Sequence, residues 1–366
     1  MSNMRQLRAV DFFCGAGGMT YGLALAKIKV IAGIDIEEEY KDTYKTNNPE
    51  PKFIHSDIKE LTIEQLEELD VERNDDSMIF AGCSPCQYWT QIQTEKERSL
   101  ETKNLLEDFQ KFVSYFMPGF VVVENVRGML TNKDESKLTG FLDFLHNNNY
   151  GADYGVIDAI YYGVPQRRKR FLLIASRVDK EIKLPEADKE KILNVKDFIG
   201  SDNGFPAIGA GHVDESDFLH TTAMLSEKNI KRLRLTPHNG GTRLAWKDDP
   251  ELQINAYKDK DNTYKDTYGR MFWGKPSPTI TTKFHSISNG RFAHPDEDRG
   301  ISLREGATLQ TFPKTYVFKG SGIGSIARQI GNAVPPELAR RIGVAICSRV
   351  MEKVEEKEVK GVYVHG

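Results

Sequence analysis

The sequence is poor in cysteine. Among 366 residues there are four, Cys14, Cys83, Cys86 and Cys347. That is too few for a disulfide scaffold at this length and fits a reducing, cytoplasmic setting, where a thiol serves packing, metal binding or catalysis. Long apolar runs are also missing. Phe120-Val121-Val122-Val123 and Phe171 to Ala175 are far shorter than the ~18 residues a membrane span needs, so no membrane association is expected. No apolar signal region follows Met1-Ser2-Asn3-Met4-Arg5, and secretion is not expected. Internal repeats and low-complexity tracts are absent. Net charge is nearly absent too: 50 basic against 53 acidic residues leave −3, which announces no polyanionic partner. With 39% hydrophobic residues the chain is nonetheless globular rather than disordered. At roughly 150 residues per domain its length predicts about two domains.

The charge is unevenly spread. Thr221 to Arg291 holds 13 Lys and Arg against 7 Asp and Glu, and Arg167-Arg168-Lys169-Arg170 forms a second basic patch. Local patches, more than the total, govern attraction to phosphate.

Strand-like and helix-like segments alternate through the first half. Strands are expected at Leu7 to Phe13, Val30 to Ile34, Phe53 to His55, Ser77 to Ala81, Phe120 to Val123 and Phe171 to Ala175, with helices near 19–26, 37–45, 62–69 and 105–116. Such βαβα order predicts an α/β fold with a parallel sheet and helices on both faces, whose active residues gather past the strand C-termini. From Lys183 the pattern breaks into Gly, Pro, Asn and Thr. Regularity returns near Ile326, and Leu338, Ile342, Ile346 and Val350 at helical spacing predict a helix over 336–353 that packs back on the first domain. The expected division is 1–182 with 320–366 as one domain and 183–319 as a smaller, irregular one.

Four constellations carry chemistry. Asp11-Phe12-Phe13-Cys14-Gly15-Ala16-Gly17-Gly18 lies between a strand and a helix, where glycines let the backbone turn sharply and approach a ligand. Asp35 and Asp57 end the next two strands and are placed to meet ribose hydroxyls and an adenine amino group. No Gly-Lys-Ser/Thr follows, so this is a nucleoside site and not a phosphate loop. Cys83-Ser84-Pro85-Cys86-Gln87 reads three ways: a redox pair, a nucleophile, or packed thiols in a turn. A second cysteine pair is missing, and no metal site is expected. Glu124-Asn125 ends another strand and puts an acid in the same row. Finally, Gln166, Arg168 and Arg170 alternate into a strand, which predicts two guanidiniums on one side, suited to phosphate or a base carbonyl.

These motifs, in this order, resemble those of the cytosine-C5 DNA methyltransferases of bacterial restriction-modification systems. The likeness extends through Ser302 to Pro313 and Gln329-Ile330-Gly331-Asn332-Ala333-Val334-Pro335. The resemblance implies an S-adenosylmethionine-binding, Rossmann-like large domain with a mixed, mostly parallel sheet and a small domain with a target recognition region. It implies Cys86 as the nucleophile that adds to C6 of a flipped cytosine, Glu124 as the acid at N3, and Arg168 and Arg170 as holders of the base and its phosphate. Gln87 and Asn125 fix the neighbouring loop and strand ends, and Cys83 is packing. Phe13, Gly15, Gly17, Asp35, Ile36, Asp57, Ile58, Pro85, Leu105, Asn332 and Val334 fall on the family's cofactor positions, with Phe13 and Ile36 flanking the adenine. Ile36 departs from the larger aromatic common there. Tyr88 to Lys103 matches the loop that closes on DNA. Double-stranded DNA is the implied partner, with Arg232, Arg234, Arg243, Arg270, Lys275 and Lys283 as its expected contacts. The implied product is S-adenosylhomocysteine, a cognate endonuclease would act separately, and a monomer is expected. Two other readings stand beside this one: a tRNA cytosine-C5 methyltransferase, and a nucleic-acid-binding homologue with an inactive core.

Overall fold

The structure, a computed structural model, describes residues 6–84, 104–131, 136–258 and 260–362, with side chains to residue 352. It divides into two compact units, Met1–Asp158 with Lys169–Ala187 and Pro336–Gly366, and Ala159–Arg168 with Asp188–Pro335. Set beside the expected bounds, the first unit runs five residues past 182 and resumes at Pro336 rather than 320, and the segment carrying Gln166 and Arg168 clusters with the second.

The first unit is built on a seven-stranded sheet in the order β3-β2-β1-β4-β5-β7-β6. The strands are β1 Arg8–Phe12, β2 Lys29–Asp35, β3 Lys52–His55, β4 Met78–Gly82, β5 Phe120–Val126, β6 Gly151–Asp158 and β7 Lys169–Ser176. From β3 to β5 every neighbour is parallel, and β7 runs antiparallel to both β5 and β6. The expected mixed, mostly parallel sheet is what forms. Its central strands are unbroken apolar runs because helices cover both faces; all five residues of β4 are buried. The chain goes outward from β1 to β2 and β3, then returns to place β4 and β5 on the other side. The ends of β1 and β4 therefore flank a topological switch point, the usual place for a ligand in an open sheet.

Aromatic side chains fill one face. Phe12 lies 5.1 Å from both Phe80 and Phe109 by ring centroids, and Phe80 lies 5.7 Å from Phe116. The helix Leu105–Phe116 supplies much of this wall, with Phe109, Phe112, Val113 and Phe116 pointing in. The helix Pro336–Val362 packs on Gly18–Leu25, as its periodicity predicted. Their approach is so close that a Cβ on Gly22 would fall 2.3 Å from the Pro336 carbonyl oxygen, so glycine is required there.

The second unit is mostly irregular. Its helices, Glu227–Leu235, Leu303–Leu309 and Ile323–Asn332, are short. Buried irregular backbone needs partners for its carbonyls, and buried arginines supply them. Arg270, fully buried, donates from Nε to Thr236 O, from Nη1 to His294 O and Glu297 O, and from Nη2 to Leu233 O. Arg304 donates to Phe218 O, Asp217 O and Tyr316 O, and Arg299 forms paired bonds with Glu305. Arg270→Ala is expected to destabilise the protein by about 3–5 kcal/mol, since several buried acceptors and Asp298 lose their donor together. Denaturant unfolding checks it; a loss below about 1 kcal/mol would contradict this role.

Candidate active site

Phe13, Gly15, Gly17, Asp35, Ile36, Asp57, Glu124, Asn125 and Arg170 lie at or just past the C-terminal edge of the first unit's parallel strands. After β1 the chain turns through Phe13 (φ 62°), Gly15 (φ 53°) and Gly17 (φ 90°), three left-handed residues in five. Only glycine adopts such angles without cost, so Phe13 is held there by its surroundings. The Cys14 amide donates to Ile34 O at 2.9 Å, and Gly17 N to Cys14 O at 2.8 Å. Asp35, at the end of β2, accepts from Gly15 N at 2.8 Å and from Glu37 N at 2.9 Å. Burial pushes its pKa up to about 6. The sequence placed Asp35 for ribose; in the fold it also braces the glycine turn. Each carboxylate oxygen keeps a second lone pair for a hydroxyl.

The surroundings suit a nucleoside. Ile36 is a large apolar side chain left 55% exposed, and Phe13 is half-buried against the core. Open space stands where Gly15 would carry a Cβ. Asp57 is half-buried and accepts from Lys59 N at 3.0 Å. Ile58 and Leu105 are buried in the core below. Asn332 and Val334 belong to the second unit, the first exposed at a helix end and the second buried.

Next along this edge, β4 delivers Cys83, whose amide donates to Phe12 O at 3.2 Å, and then Ser84. Pro85, Cys86, Gln87 and the segment Tyr88 to Lys103 lie outside the described residues. Asn125, from the adjacent strand β5, donates from Nδ2 to Ser84 Oγ at 3.1 Å and Ser84 O at 3.3 Å, while its Oδ1 accepts from Val126 N. It thus secures the residue from which the Pro85-Cys86 segment departs. Glu124 is buried, and Arg170 Nε lies 3.2 Å from its Oε1. That contact is an ion pair without hydrogen-bond alignment: Oε1 has no hydrogen-bond partner among the described residues. A buried carboxyl oxygen beside a guanidinium, lacking its own partner, suits an incoming N–H or ring nitrogen.

Arg168 does not share this site's Glu124. Alternation predicted it on the same side as Arg170, but β7 begins only at Lys169. Arg168 turns into the second unit, where it donates to Ile280 O at 3.1 Å, Gly331 O at 3.2 Å and Ala333 O at 3.0 Å. It is 2% exposed, and its terminal nitrogens brace these carbonyls. Gln166 joins the same network through Gln310 and the Ile280 amide.

Comparison with known proteins decides the family. The profile for C-5 cytosine-specific DNA methylase matches residues 7–348. The chain belongs to that family. A type II methylase of Herpetosiphon aurantiacus, M.HgiDII, is 36% identical over 95% of this chain and 97% of its own length. The type II methyltransferase M1.HphI of Haemophilus parahaemolyticus is 30% identical over 93% and 86%. Among solved structures, a DNA modification methyltransferase encoded within an E. coli prophage superposes with a TM-score of 0.70 at 20% identity, over 94% of this chain and 99% of that one. The S. pombe Dnmt2 methyltransferase gives 0.60 at 17%, over 94% and 99%. These last two speak for the fold alone.

In this C-5 cytosine methylase the expected DNA contacts separate into two kinds. Arg232, Arg243 and Arg270 are buried. Arg232 donates to Leu252 O and stacks near Trp246, and Arg243 donates to Lys260 O and Thr263 O. Their burial corrects the expectation: these three hold loops together. Arg234, Lys275 and Lys283 are exposed. One buried acid was left out of the expected site, Asp11, fully buried in β1. Its signal was visible, a charged residue inside the apolar run Ala9-Val10-Asp11-Phe12.

Proposed function

We propose that this methylase transfers the methyl group of S-adenosylmethionine to C5 of a cytosine in a short, specific sequence of duplex DNA. The observation that carries the reading is Glu124. It is a buried acid with an unfilled oxygen, on the strand paired with the one that leads to Cys86. C5 of cytosine is a poor nucleophile until C6 is attacked. Cys86 adds to C6 as thiolate, Glu124 serves N3, and the electrons released into the ring make C5 nucleophilic. S-adenosylmethionine, when bound, would supply the electrophilic methyl group, with S-adenosylhomocysteine as the by-product. Loss of the C5 proton then expels Cys86. Arg170 holds Glu124 in place, and Asn125 and Gln87 secure the loop. Phe13, Gly15, Gly17, Asp35, Ile36, Asp57, Ile58, Pro85, Leu105, Asn332 and Val334 hold the nucleoside.

A base inside a duplex is out of reach, so the target is extruded. Arg234, Lys275 and Lys283 remain as phosphate contacts. Their substitution by Ala is expected to weaken DNA binding across sequences and to reduce the salt slope of log K by about one each. Unchanged slopes, measured by fluorescence anisotropy across a salt series, would remove them from the interface. Protection of DNA against a separate cognate endonuclease, a monomeric state and a cytoplasmic location complete the proposal. Among the described residues no helix is long and apolar enough to cross a membrane.

The test is labelled-methyl incorporation into duplex DNA and into tRNA by the purified protein. Incorporation into DNA supports the proposal. Incorporation into tRNA alone would favour the tRNA reading, and none into either would favour the inactive homologue.

A further inference from the structure

Two carboxylates, Asp11 and Asp35, lie buried beside the glycine turn, and among the described residues neither has a cationic partner. Asp11 Oδ2 accepts from Thr20 N at 3.0 Å and from Thr20 Oγ1 at 2.7 Å, and Thr20 Oγ1 lies 3.1 Å from Tyr44 OH. Its other oxygen, Oδ1, is buried and has no hydrogen-bond partner among the described residues. Asp35 accepts only from backbone amides. The remaining titratable groups around them are Cys14, Cys83, Glu37 and Tyr44, none of them cationic. His55, paired with Asp35 in the sheet register, is engaged by Glu38 and Ile36 O. Among the described residues no Lys, Arg or His forms an ion pair with Asp11 or Asp35. Buried charges are normally paired, and among the described residues no side chain supplies the matching positive charge.

We infer that Asp11, together with Asp35, is the electrostatic complement of the cofactor's sulfonium, so that the site favours the methyl donor over the spent product. The inference rests on the cofactor reading above. S-adenosylmethionine and S-adenosylhomocysteine share their adenosine, ammonium and carboxylate. They differ by one methyl group and one positive charge. Asp11 is fully buried and acts through space and through the turn that Thr20 anchors; it is a positioning residue, not a catalytic one. Burial pushes the Asp11 pKa up to about 7. Acidification through this range removes its charge, and a rise in pH restores it. A bound cation favours the ionised form, so binding the sulfonium releases a proton near neutrality. The neutral thioether lacks that effect.

Isothermal titration calorimetry of the full chain with both nucleosides tests this, at about pH 6 and pH 8 and in two buffers of different ionisation enthalpy. From pH 8 to pH 6 the preference for S-adenosylmethionine over S-adenosylhomocysteine is expected to fall by about tenfold. More protons should be released with the first ligand than with the second near pH 7. Asp11→Asn should cost S-adenosylmethionine about tenfold in affinity, leave S-adenosylhomocysteine within about threefold, and flatten the pH dependence of their ratio. A constant ratio with equal proton release would overturn the inference alone, as would equal losses for both ligands in Asp11→Asn. Should that variant not fold, the wild-type pH series still decides. No binding of either nucleoside would overturn the cofactor reading and this inference with it.

Discussion

Cys86→Ser is expected to abolish methyl transfer, by on the order of 10⁴-fold or more, while Cys83→Ser leaves it within a few fold. A serine hydroxyl at neutral pH offers almost no alkoxide, so C6 is not attacked and C5 stays unreactive. Cys83 follows the end of β4, and its amide is tied to Phe12 O. The pair of substitutions also separates two mechanisms. A redox couple requires both sulfurs, so equal losses in the two variants would return the Cys83-Ser84-Pro85-Cys86 segment to redox chemistry. Single-turnover methyl transfer, with circular dichroism to show both variants folded, gives the answer.

Glu124→Gln is the second large effect. The substitution keeps shape and removes the acid, so kcat should fall by about 10²–10⁴-fold. DNA affinity should change by less than about threefold, because Glu124 is buried and, in the proposed mechanism, meets only the extruded base. The structure adds a distinction. Arg170 lies beside Glu124 and Arg168 does not, since the latter is spent on three carbonyls of the second unit. Arg170→Met should therefore impair turnover in a folded protein, whereas Arg168→Met should chiefly lower thermal stability. A fully active Glu124→Gln variant would remove that residue from the mechanism.

The sheet was legible because buried parallel strands are written as unbroken apolar runs. Strands β1 to β5 and β7 stood out for that reason. Strand β6 did not, because it lies at the edge with alternating exposed positions such as Tyr154 and Val156, and two glycines dilute its pattern. The helix Glu227–Leu235 was hidden by charge; six of its nine residues are acidic or basic or Asn. Acids at strand ends were legible from topology, which places the C-termini of parallel strands on one edge. What Asp35 does beyond that, bracing Gly15 through its carboxylate, depends on the left-handed turn at Phe13 and is not written in residue order. Arginine misled most. A guanidinium reads the same in sequence whether it faces phosphate or is buried under loops. Only burial separated Arg232, Arg243 and Arg270 from Arg234.

Methylation of cytosine at C5 in a defined DNA sequence is the activity proposed for this chain. Bisulfite sequencing of plasmid DNA from a methylation-free host expressing the protein tests it most directly. Full protection of one cytosine in every copy of one short motif is expected, lost in the Cys86→Ser variant. Uniform conversion of all cytosines, with folded protein present in the cells, would contradict it.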